Sequence, residues 1–309
     1  MTRWRRLHAG AVVLTLVGGC GALGLRALSD AKPVSVDDAV ARFREGQSAT
    51  PSPGSPTSPA PTPSATGTAV RGSSAPAKPG TSGAPTATAR PGGTTAPKPG
   101  TAGPSLTAAP EGVYVYATTG HETGDAGPTT SRHDYPSETT WTIRRSGCGS
   151  SLRWEPVEGR WDDVTDCGDG RTSKIRTYDT MHTFYGISER MTYQCSGDSW
   201  LRPPSTAAGY TWEFDCVSER AKTHTEARIV GIERVSAGDG TVRALHVRFD
   251  TTLSGSSTGT NPSDYWLALD GPYMIRKTGR VDATVRTEFG TIDYHEEYDV
   301  RLVSRKPRT

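Results

Sequence analysis

The chain has 309 residues and a formal net charge of +2, and that charge is unevenly distributed. Residues 1–110 carry 11 Lys and Arg against 4 Asp and Glu, whereas the remainder carries 24 against 29. An acidic C-terminal part lacks the basic footprint of a nucleic-acid-binding domain, so nucleic acid is excluded as a partner.

Arg3, Arg5 and Arg6 precede an uncharged run over residues 9–25, which Arg26 ends. A basic flank stays on the cytoplasmic side, so the rest of the chain is expected outside the cell membrane. Residues 1–29 fit three anchors or signals. The run is a transmembrane helix at the short limit, or Val17-Gly18-Gly19-Cys20 is a lipobox with Cys20 as the lipidation candidate, or the segment is cleaved. Four further cysteines form an even set and leave Cys20 over, which suits the lipobox, while the apolar residues 21–25 suit a helix.

Residues 30–47 predict a short juxtamembrane helix. Ser35 is its cap, Asp37 and Asp38 suit its positive end, and Val36, Ala39, Val40 and Phe43 form one apolar stripe. Such a stripe lies on the bilayer, pairs with itself or docks a membrane partner. Residues 48–110 form a linker. Apart from Arg71, Lys78, Arg90, Lys98, Val70 and Leu106 it is Pro, Thr, Ser, Ala and Gly. That composition offers too little apolar surface to offset folding entropy, and it predicts a disordered stalk. Extended at about 3.1 Å per residue it reaches roughly 190 Å, and as a coil about 45 Å. Its Ser and Thr are candidates for O-linked sugars.

Residues 111–309 read as an all-β ectodomain. Tyr210, Trp212, Phe214 and Cys216 alternate with polar residues, as do Leu245, Val247 and Phe249. The same period runs through Val281, Ala283, Val285, Thr287 and Phe289, and through Tyr294, Tyr298, Val300 and Leu302. Weaker strands are expected at 112–118, 139–144, 151–155, 174–178, 181–185, 190–195, 225–235 and 265–269, with Gly- and Asp-rich turns between. The expected architecture is an antiparallel meander curled into an open or half barrel. Cys148, Cys167, Cys195 and Cys216 are disulfide candidates in an oxidising exterior. Of three possible connectivities, Cys148–Cys167 and Cys195–Cys216 would each staple neighbouring strands. No C-x-x-C knuckle is present, so no metal is expected.

Catalytic patterns fail on context. Gly255-Ser256-Ser257-Thr258-Gly259 matches a nucleophile elbow in letters, but strands lie on both sides where a helix must follow. His295-Glu296-Glu297 lacks the second His of a zinc motif and reads as a solvated strand face. Asp162, Asp163, Asp166 and Asp169 lack the spacing of a calcium loop and read as a solvated turn. His121-Glu122 and Asp125 fall in a Gly-rich loop, and His133, His182 and His224 are scattered. The expectation is a non-enzyme with no catalytic residue and no cofactor. Aromatic residues are the remaining signal, and Trp141, Trp154, Tyr193, Trp212 and Trp266 are candidates to line a groove for an apolar ligand.

Two resemblances add to this. The anchor, the helix Asp38-Ala39-Val40-Ala41-Arg42-Phe43-Arg44, the Pro/Thr stalk and the opening Gly112-Val113-Tyr114-Val115-Tyr116-Ala117-Thr118 resemble a group of uncharacterised actinobacterial membrane-anchored proteins, which implies no activity. The stretch from Arg228-Ile229-Val230-Gly231-Ile232-Glu233-Arg234-Val235 through Leu245-His246-Val247-Arg248 to Tyr265-Trp266-Leu267 resembles the rear half of LolA/LppX-like envelope carriers. Those are half-barrels with a lipid-holding concave face, although this chain differs in its four ectodomain cysteines and long stalk. The resemblance implies a cell-envelope binding module for a lipid or other apolar ligand. The alternative is an interaction protein that contacts another envelope protein or cell-wall glycan.

Overall fold

The computed structural model describes residues 31–48, 109–238, 240–287 and 290–309. The expected anchor with Cys20, nearly all of the expected stalk, and Phe289 lie outside the described residues. Among the described residues one helix, α1 (Val36–Ser48), precedes fourteen strands: β1 (Gly112–Ala126), β2 (Thr129–Asp134), β3 (Glu138–Ser146), β4 (Gly149–Val157), β5 (Arg160–Gly168), β6 (Ser173–Phe184) and β7 (Ile187–Gly197), then β8 (Trp200–Arg202), β9 (Thr211–Val217), β10 (Ala221–Ala237), β11 (Gly240–Gly255), β12 (Ser257–Ala268), β13 (Met274–Thr287) and β14 (Gly290–Leu302).

Neighbours pair antiparallel almost throughout in chain order, and β14 returns to pair with β1. Twelve strands thereby close into a barrel, with β2 and β8 outside the ring. The expectation of an open or half barrel is corrected by this seam, in which residues 116–125 of β1 face residues 302–293 of β14. The sequence conceals it because the second half of β1 is polar and glycine-rich. Gly120 sits there at φ +150°, and a Cβ on it would collide with the Glu297 carbonyl oxygen. Glycine lets the two backbones approach. β1 also changes partner along one edge, from β3 over residues 112–117 to β2 over residues 121–126.

Alternation sends one face of each strand inward, as a closed barrel requires. Tyr116, Trp141, Trp154, Trp212, Val247 and Val300 belong to the resulting core. Both expected disulfides are present. Cys148–Cys167 joins the turn just before β4 to the end of β5, and Cys195–Cys216 joins facing residues of β7 and β9.

The turns at 127–128, 158–159, 185–186 and 218–220 define one end of the barrel, called upper here. The long connection 203–210 and the chain's last residues define the lower end. Residues 32–34 enter at the upper end, where the Val34 amide donates to the Pro156 carbonyl at 3.3 Å and the Glu158 amide to that of Lys32 at 2.8 Å. Ser35 caps α1, its hydroxyl accepting from the Asp38 amide at 3.1 Å and donating to the Asp38 carboxylate at 2.7 Å. The helix then runs down the outer wall. Its stripe of Ala39, Val40 and Phe43 is buried with Val113 of β1. Arg144 stacks over the Phe43 ring at 4.8 Å and donates to the carbonyls of Arg42 and Phe43. Arg42 pairs with Glu155 at 3.0 Å, and Arg44 donates to the Thr309 carbonyl at 2.7 Å. The apolar stripe read as membrane-facing is therefore covered by the barrel itself.

Candidate functional site

Toward the upper end, the inward face carries charge instead of apolar side chains. Glu122 of β1, Asp162 of β5 and Glu296 of β14 are buried there, with Arg160 of β5 among them. The Arg160 guanidinium donates to both Asp162 oxygens at 2.8 and 3.1 Å and to both Glu296 oxygens at 2.9 and 3.1 Å. Its Nε lies 3.6 Å from Glu122. Glu122 is further held by His133 of β2 at 2.8 Å, His182 of β6 at 3.4 Å and the Tyr294 hydroxyl at 3.0 Å. Tyr178 donates to Asp162 at 2.9 Å, and Tyr135 donates to Glu296.

Every carboxylate in this network has at least two partners, which is what keeps a buried charge tolerable. Burial alone would raise the Glu122 carboxyl. Hydrogen bonds from His133 and His182, together with the Arg160 charge, outweigh it and hold the group down at about 2. Burial likewise pushes Tyr135, Tyr178 and Tyr294 well above the usual phenol range, so they act as neutral donors.

Beside the network lies a cavity of about 210 Å³. Arg160, Asp162, Tyr178, His182 and Glu296 line part of it, and apolar residues such as Val164, Ile175, Met191, Phe214, Phe249 and Val281 line much of the remainder, with Thr223, Thr225 and Ser263 among them. At the upper rim Leu253, Val285 and Ile292 are half-buried, and Ile187 is 39% exposed. The cavity therefore reaches the surface at the end where the N-terminal chain enters. A smaller space of about 80 Å³ continues toward the lower end, sharing Trp141, Val164 and Tyr265 with the first.

Four buried polar atoms on the larger cavity's wall have no hydrogen-bond partner: Trp141 Nε1, Arg160 Nε, Ser257 Oγ and Asn261 Oδ1. The Lys277 side chain of β13 also faces the cavity and is 6% exposed. Its ammonium lies 4.8 Å from the Tyr298 ring centre, 5.3 Å from that of Tyr265, 5.6 Å from Trp141 and 5.8 Å from Trp154.

Of the five expected groove residues, Trp141 and Tyr193 line the cavity, while Trp154 and Trp212 fill the barrel core. Trp266 does not join them. It is on the outer wall, stacked on His246 at 4.4 Å and covered by Arg276 at 4.6 Å, while its neighbour Tyr265 points inward. Two readings of solvated acids are also corrected: Asp162 and Glu296 are inside. Glu122, read as part of a loop, is strand and fully buried. The signal for Glu296 was phase, since it alternates in step with Tyr294 and Tyr298. Ser257 of the elbow-like pentapeptide opens β12 with no helix after it.

Among the described residues no cluster of His, Cys, Asp and Glu could hold a metal ion, and no helix is long and apolar enough to cross a membrane. No family model and no curated protein matches the chain. Among solved structures, a Bacteroides fragilis protein with a YmcC-like fold aligns at 10% identity with a TM-score of 0.22, over 64% of this chain and 97% of that one. A likeness of that strength carries no argument.

Proposed function

We propose that this protein is a non-enzymatic binding module of the cell envelope that holds an apolar ligand inside its barrel. The observation that carries the reading is the largely apolar cavity of about 210 Å³, open at the upper rim. It exceeds the ~150 Å³ of an apolar cavity that admits benzene. It suits one chain or ring system better than a two-chain lipid. Barrel mouths are a recurrent place for such sites.

The position of the N-terminus supports an envelope ligand. Five residues, Arg26 to Asp30, separate the apolar run 9–25 from the first described residue. Fully extended, five residues span about 18 Å. An anchor in that run therefore keeps the mouth close to the bilayer surface. α1 and β1, which flank the Pro/Thr segment in sequence, pack against each other, so that segment is not what links residues 26–30 to the barrel.

The test is binding of the apolar fluorophore N-phenyl-1-naphthylamine to the full chain in nanodiscs, with empty nanodiscs subtracted. Saturable binding that Val285→Trp abolishes at the rim is the expected result. No saturable binding, or binding unchanged by that substitution with folding intact, overturns the proposal.

A further inference from the structure

The apolar lining says nothing of the ligand's polar end, but Lys277 does. We infer that the cavity takes an amphiphile with a single anionic head, a carboxylate or phosphate monoester, seated against the Lys277 ammonium and the Trp141 indole N–H. The inference rests on the binding reading above and names the class of ligand.

A lysine this buried normally has a carboxylate partner or gives up its proton. Lys277 has no carboxylate within ion-pair distance among the described residues, although three are buried in the same barrel. Those three make their hydrogen bonds elsewhere, and Asp162 acts on the ammonium only through space. Asp162 and Glu296 are gripped by Arg160, and Glu122 by two histidines and Tyr294. The Tyr298 hydroxyl oxygen is the nearby acceptor for the ammonium, and the four surrounding rings attract it through their faces. Neither contact neutralises it.

Trp141 adds a second, independent sign. Its ring is one of the four around the ammonium, and its Nε1 donor is buried with no acceptor. Two donors without an anion converge on the same wall, and one negatively charged oxygen pair would satisfy both. A charged hydrogen bond in a water-poor site is much stronger than a neutral one. An alcohol of equal chain length fills the same apolar space without supplying the charge.

Titration of the full chain in nanodiscs with octanoate, octyl phosphate, 1-octanol and octylamine tests this. Octanoate or octyl phosphate should bind about ten- to a hundred-fold tighter than 1-octanol, and whichever is the stronger identifies the head group. Lys277→Met should remove that preference while leaving octanol binding in place, and Trp141→Phe should reduce it in part. If Lys277→Met does not fold, Lys277→Arg must keep the preference. Equal binding of acid and alcohol, or a preference for octylamine, overturns the anionic head but leaves the binding module standing. Failure of all four to bind overturns the binding reading itself.

Discussion

Arg160 is the residue on which the buried polar network turns, because three carboxylates share its one guanidinium. Removing it leaves charge inside the barrel without compensation. Arg160→Met is therefore expected to cost about 3–5 kcal/mol in denaturant unfolding. A change below about 1 kcal/mol would mean that the network is solvated. Glu122 gives the same network a pH signature. Its carboxyl is held at about 2 in the fold against an ordinary 4.5. A depressed folded value means the stabilisation is complete above 4.5 and is lost as pH falls from there toward 2. Unfolding midpoints measured from pH 7 down to pH 3 should fall below about pH 5. Glu122→Gln, which cannot titrate, should flatten that fall, and an identical slope would contradict the assignment.

Among elements, β1 decides the architecture, and the sequence showed only its first half, while β2, β5 and β8 were not expected as strands at all. Its first five residues are all buried, because α1 covers Val113 on the outer face while Tyr114 and Tyr116 enter the core. Beyond them Gly120, Glu122 and Gly124 occupy inward positions where apolar residues were expected, so the apolar pattern stops well before the strand does. The strands that alternate cleanly, β11 and β14, were legible because one face meets the core and the other water. Gly120→Ala is expected to destabilise by about 2 kcal/mol or more, since its Cβ meets backbone across the seam. Gly231→Ala, where a Cβ meets nothing within 4 Å, should stay within about 0.5 kcal/mol. Similar losses for both would deny the seam. Helix α1 was legible in its cap and stripe, but not in what the stripe covers. Phe43, 1% exposed against the barrel wall, should lose about 3–5 kcal/mol on change to Ala. A stripe resting on lipid instead would leave barrel unfolding unchanged.

For the whole molecule, composition divided the chain into regions, and cysteine parity with spacing favoured the disulfide pairing that is present. Closure was not legible, because it depends on the first strand meeting the last, a contact between residues 116–125 and 293–302 that no local pattern marks. The candidate site was legible only in part for the same reason: its charged members come from β1, β2, β5, β6, β13 and β14, and each alone looks like an ordinary polar residue. Replacing Cys148 and Cys167 together by Ser should cost about 3 kcal/mol, as should the other pair, each closing a loop of about 20 residues. The measurement that bears most directly on function is mass analysis of small molecules extracted from the full chain, purified from its own host without added lipid. The expected result is a single-chain anionic amphiphile at close to one per protein, lost in Val285→Trp. Recovery of no bound amphiphile, together with an interior that admits no apolar probe, would contradict it.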